Sequence, residues 1–98
     1  MRKILAEKNG NILIQLESPL ENGEPLYSVG SVEYITGKDE SEILKCTKIE
    51  MLKYLRSCLR GYEKKMEKIR EWHRDERVSL NLRQQEAMRA FIEVMEKL

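Results

Sequence analysis

Proline is scarce in this chain: there are two in ninety-eight residues, at positions 19 and 25. Nothing after Pro25 therefore forces a helix or a central strand to stop. Histidine is rarer still, with His73 alone, and the cysteines are only Cys46 and Cys58. These three do not have the spacing of a zinc site along a helix. No Ser-His-Asp set and no glycine loop that would cradle phosphate accompanies them. Carboxylates are plentiful, but they alternate with basic residues as on a solvated helix face. A non-enzymatic protein with no metal and no cofactor is expected.

Long apolar runs are missing as well. The chain does not open on the apolar core of a signal peptide, and no stretch approaches a membrane span. The expectation is a cytoplasmic protein with no membrane partner, its two thiols free in a reducing compartment. If both cysteines lie on one helix, their twelve-residue separation puts them about 18 Å apart, beyond disulfide reach. The net charge is only +1, so total charge implies neither nucleic acid nor membrane. Its distribution is uneven. Residues 1–44 hold four basic and eight acidic groups, a net of −4, while residues 45–77 hold eleven and six, a net of +5. An acidic front and a basic middle suit charge-complementary association, with another copy or another partner.

What is abundant is helical periodicity. Through residues 41–77, Leu52, Leu55, Leu59, Tyr62, Met66, Ile69 and His73 recur at steps of three and four, one stripe of a long amphipathic helix. Gly61 is its weak point, at about 1 kcal/mol relative to alanine, yet the stripe runs through it. Asp39 and Glu42, with Ser41 as a competing cap, have the spacing that starts such a helix. Asn81 and Gln84 repeat the capping pattern ahead of a second helix over 81–97, with Met88, Phe91, Met95 and Leu98 on its stripe.

Ahead of the helices lies a region of strand and turn signals. Asn9-Gly10 between apolar runs is a strong hairpin signal. A two-residue loop there pairs Ala6 with Leu13 and splits the apolar set between faces. A three-residue loop over 9–11 pairs Ala6 with Ile14 and Ile4 with Leu16, gathering the apolar residues on one face, and is the favoured register. Residues 18–25, with both prolines and Asn22-Gly23, form a surface turn. A third strand is expected over 26–36, with Gly30 as a bulge rather than a turn. The fold class is α+β in one domain, 1–98. An N-terminal three-stranded antiparallel meander (1–37) precedes a long amphipathic helix (41–77), and a shorter C-terminal helix (81–97) folds back as a helical hairpin.

Lengths suggest a partner. A straight helix of this size spans about 52 Å, against roughly 27 Å for the helix that covers it. The uncovered stripe points to a homo-oligomer formed through Leu52, Leu55, Leu59, Tyr62, Met66, Ile69, Trp72 and His73. Trp72 lies off the stripe beside Arg70 and Arg74, which fits an interface hot spot or a cap on the core, and His73 also fits simple packing. Arg56, Arg60, Lys64 and Lys68, with Arg74 beyond them, make a basic stripe that winds around the helix. It suits the phosphates of nucleic acid or of a nucleotide, or else a solvated face paired with Glu63, Glu67 and Glu71. In architecture, a small sheet ahead of a charged helical hairpin is similar to many small phage and mobile-element accessory proteins. That resemblance implies an unidentified protein partner, such as a host defence enzyme, or a nucleotide signal. The expected function is a self-associating protein-interaction module, with nucleic-acid or nucleotide binding as the alternative.

Overall fold

The computed structural model describes residues 2–72 and 75–98. The sheet is built on the Asn9-Gly10 turn. Both residues have positive φ, 52° and 80°, and they join β1 (Lys3–Lys8) to β2 (Asn11–Gln15) with Lys8 opposite Asn11. This is the two-residue loop, not the three-residue one. Ala6 faces Leu13 and Ile4 faces Ile14, and Leu5 is the extra residue of a bulge between them. β3 (Tyr27–Ser31) adds to the other side of β2, completing an antiparallel sheet of order β1-β2-β3.

The register differs from the favoured one because β2 is buried on both faces. Leu13 points into a core shared with both long helices, whereas Ile12 and Ile14 point into a second core with Leu16, Leu26, Ile35 and Ile43. A strand covered on both sides reads as a continuous apolar run, and nothing then requires one face to collect every apolar residue.

The third strand ends sooner than its β-branched composition suggests. Ser31 Oγ accepts a hydrogen bond from the Tyr34 amide at 3.2 Å and caps a short helix, α1 (Val32–Thr36). Gly30 is thus neither a bulge nor a turn. It lies under α1, where an added Cβ would come within 3.3 Å of Ile35 Cγ1.

The main helix also starts later than position 41. Asp39 and Glu42 do bond, Asp39 N donating to Glu42 Oε2 at 3.1 Å, but they close only a 3-10 turn over Glu40–Glu42. The next residues are held by β3's free edge. Tyr27 and Cys46 exchange both backbone hydrogen bonds, at 2.7 and 2.9 Å. Only beyond that bridge is the chain released into α2 (Lys48–Glu71). Thr47 caps it reciprocally: its Oγ1 accepts from Glu50 N at 3.3 Å and its N donates to Glu50 Oε1 at 3.0 Å. α3 (Asp75–Glu96) begins six residues before Asn81, which is an interior helical residue and not a cap. Gly61 lies within unbroken α2 with nothing within 4 Å of an added Cβ.

α2 has 24 residues and α3 has 22, so the hairpin arms are about 36 and 33 Å long. The length mismatch expected between them is absent. The molecule is three-layered: α1 and the 3-10 segment, the sheet, and the hairpin. It is elongated, 49 × 25 × 20 Å.

Candidate interaction surface at the hairpin tip

The sheet is shorter than the hairpin it covers, and side chains of the β1–β2 turn mark where cover ends. Asn9 Nδ2 donates to the Arg83 carbonyl at 3.0 Å, and Asn11 Nδ2 donates to Gln84 Oε1 at 2.9 Å. Lys8 pairs with Glu86 at 3.3 Å. Just past that level Asn81, 6% exposed, donates from Nδ2 to the Tyr62 carbonyl at 2.9 Å, cross-linking the two helices. Its Oδ1 accepts from Gln85 Nε2 at 2.7 Å, and Gln85 Oε1 in turn accepts from Arg89 Nη2 at 3.1 Å. This i, i+4, i+8 ladder is a polar seam inside the hairpin.

Beyond Tyr62 on α2, and before Asn81 on α3, each helix has only the other to pack on. Met66 still finds cover between them, at 6% exposed. The sheet-facing stripe has none. On α2 that stripe runs Met51, Leu55, Cys58, Tyr62 and Ile69, the first two fully buried and Ile69 half-buried. On α3, Ala87 is fully buried, while Leu80, one heptad nearer the tip and on the same face, is 60% exposed. Trp72 is 59% exposed. Ile69 and Trp72 floor an open groove of about 340 Å³, rimmed by Lys65, Lys68 and Arg77. Among the described residues, three cations and no carboxylate line it.

Most of the expected self-association residues are covered within the chain. Leu55 and Met66 are buried, and Leu52, Leu59 and Tyr62 pack half-buried against the main core. Ile69 is also half-buried and Trp72 is exposed; His73 lies outside the described residues, as does Arg74. The basic stripe divides. Arg56 turns to the end of α3 and pairs with Glu96 at 3.4 Å. Arg60 and Lys64 are exposed along the shaft without an ion pair among the described residues, and Lys68 reaches the groove.

A second concavity lies on the other face of the sheet. Ile4, Ile12, Ile14 and Ile35 line a cavity of about 500 Å³. Ile4 is 62% exposed at its lip. Arg2 anchors the wall, donating to the Ile35 and Lys38 carbonyls at 2.7 and 2.6 Å and pairing with Glu40 at 3.5 Å. Glu40 also accepts from the Glu17 amide at 2.9 Å, and Asp39 and Glu17 complete the rim. The signal for this cavity was the unbroken Ile12-Leu13-Ile14 run, which announces a strand with two covered faces.

Both thiols are free. Burial, and then the charge of Glu50, push the Cys46 thiol up from its ordinary pKa. Burial, and then Cys58, likewise raise the phenols of Tyr54 and Tyr62. All three shifts favour the neutral form, the opposite of what a nucleophilic thiolate needs. Among the described residues there is no cluster of three metal-ligating side chains, and no helix long and apolar enough to cross a membrane. Compared with protein-family models, curated proteins and solved structures, the chain finds no match in any of the three.

Proposed function

We propose that this chain is a non-enzymatic, self-associating interaction module that binds through the tip of its helical hairpin. The observation that carries the reading is the overhang: past the sheet, Trp72 at the end of α2 and Leu80 on the face of buried Ala87 are exposed, with Ile69 half-buried beside them. A tryptophan framed by lysine and arginine is the composition of an interface hot spot. The test is sedimentation or light scattering from low to high micromolar concentration. Association should be concentration-dependent, and Trp72→Ala should weaken it roughly thirtyfold, about 2 kcal/mol. A strict monomer of 11.6 kDa across that range rules the reading out.

One observation favours a second reading. Lys65, Lys68 and Arg77 beside an open indole resemble the stacking platforms with cationic rims that hold single-stranded nucleic acid. Under that reading, binding of a single-stranded oligonucleotide falls steeply with salt and is lost in Lys65→Glu/Lys68→Glu. Retention that is weak and indifferent to Trp72→Ala argues against it.

A further inference from the structure

The tip groove carries charge of one sign, and the sheet beside it ends in a turn. Among the described residues Lys65, Lys68 and Arg77 rim Ile69 and Trp72, and none of the three cations makes an ion pair. The carboxylates of the same segments, Glu67, Glu71, Asp75 and Glu76, are exposed and do not line the groove. The end of the sheet nearest the tip is the Asn9-Gly10 turn, fastened to α3 between Arg83 and Glu86, and not a strand edge. From these we infer, resting on the tip as the binding face, that the groove seats an acidic amphipathic helix of another protein. That helix is about ten residues long, its apolar face on Trp72 and its carboxylates toward Lys65, Lys68 and Arg77.

Charge, backbone chemistry and length select this occupant. A cationic surface is repelled by the rim, and a neutral one takes three charges out of water with nothing in return. A strand is the wrong form: a turn offers it no row of free backbone groups, so its own amides and carbonyls go unpaired on that side. A helix bonds its backbone internally and packs into the groove between two others. About 15 Å of hairpin extends past the sheet, the length of ten helical residues. A nucleic-acid strand fits less well. Platforms for it give successive bases aromatic side chains, and here one indole stands with aliphatic Ile69 and Leu80. A second copy does not supply the helix either, since α2 and α3 are packed in their own hairpin and α1 has only five residues.

The probe is a synthetic peptide of roughly twelve residues, blocked at both ends, with leucines at i, i+3, i+4 and i+7 and glutamates beside them. Trp72 is the only tryptophan, so indole emission reports the tip alone. At a dilution where the chain is monomeric, the peptide should shift that emission to the blue. Raising salt from about 0.05 to 0.5 M should weaken binding about tenfold. Lys65→Glu/Lys68→Glu changes two exposed positions, and circular dichroism checks that the variant folds. It should lose binding by a similar factor and gain it for the same peptide with lysine in place of glutamate. An exposed indole with no charge recognition around it does not exchange preference in this way. If wild type binds the glutamate and lysine peptides alike, the inference is wrong. It is wrong too if a peptide of the same composition with scattered leucines binds as well, or if no shift appears at about 1 mM peptide. If a single-stranded oligonucleotide of equal charge binds more tightly, the groove is a nucleic-acid seat and the inference again fails. Light scattering without peptide reads self-association separately. A monomer that binds the peptide removes self-association and keeps the helix seat, and a chain that associates but ignores the peptide does the reverse.

Discussion

Replacing Asn81 tests whether the hairpin is held by its polar seam. Asn81 sits between helices at 6% exposure, gives one hydrogen bond to the Tyr62 carbonyl and takes one from Gln85. Asn81→Ala removes both, each worth about 0.5–1.5 kcal/mol net, and leaves the Gln85 amide buried without its acceptor, which costs about 1–3 kcal/mol more. A loss of about 3 kcal/mol is expected, a large share of the 5–15 kcal/mol typical of a whole domain. In a domain of this size that lowers Tm by roughly 10–20 °C, and with a urea m-value of about 1–3 kcal/mol/M it moves the midpoint by at least about 1 M. Asn81→Leu/Gln85→Leu should behave otherwise. With donor and acceptor removed together, nothing is orphaned, and stability should return to within about 1 kcal/mol of wild type. The assay is a double-mutant cycle by urea unfolding. If Asn81→Ala costs less than about 0.5 kcal/mol, or the single changes add in the double, the seam is not coupled and the reasoning fails.

Two glycines should respond in opposite directions to alanine. Gly61→Ala fills open solvent in mid-helix and should raise stability by about 0.5–1 kcal/mol, while Gly30→Ala presses on buried Ile35 and should lower it by about 1 kcal/mol, both read by thermal melts. Thr47→Ala should cost about 1 kcal/mol by removing the cap of α2. The same cap should appear in the pH profile. Bonds to the backbone and side chain of Thr47 hold the Glu50 carboxyl below its ordinary pKa. Its contribution is therefore complete above the unfolded value and is lost as pH falls through the lowered folded value, so Glu50→Gln should flatten that part of the acid limb.

The elements whose signals are local were legible from the sequence. Asn9-Gly10 takes positive φ at both residues and closes the hairpin, and the steps of Leu52, Leu55, Leu59 and Tyr62 fall on one helical face. The expectations that failed are those where a distant contact decides. Asp39 and Glu42 form their bond, yet no long helix follows, because β3's edge claims the chain through Cys46 before the helix can propagate. Val32, Ile35 and Thr36 are strand formers by type, but a cap at Ser31 and burial of Ile35 against the sheet make them helical. Asn81 looks like a cap from its neighbours in sequence. The carbonyl it actually serves is nineteen residues back, on the other helix.

The tip groove was legible only in part, for a reason that can be stated in lengths. Periodicity reveals that a helix has an apolar face but not how much of that face is covered, since cover depends on the element across from it. Here that element is a sheet whose two longest strands have six and five residues, about 20 and 17 Å at a strand's rise. The hairpin arms are about 36 and 33 Å. Roughly 15 Å of helix must therefore extend past the sheet, close to the nine residues of α2 that follow Tyr62. The turn at Asn9-Gly10 sets that figure, because it ends the strands and its neighbours Lys8, Asn9 and Asn11 fasten them to α3 between Arg83 and Glu86. Trp72 is open to solvent because the strands are short. A mismatch in length does exist in this chain, but it lies between helix and sheet, and it leaves Trp72 and Leu80 exposed while Leu55 stays buried.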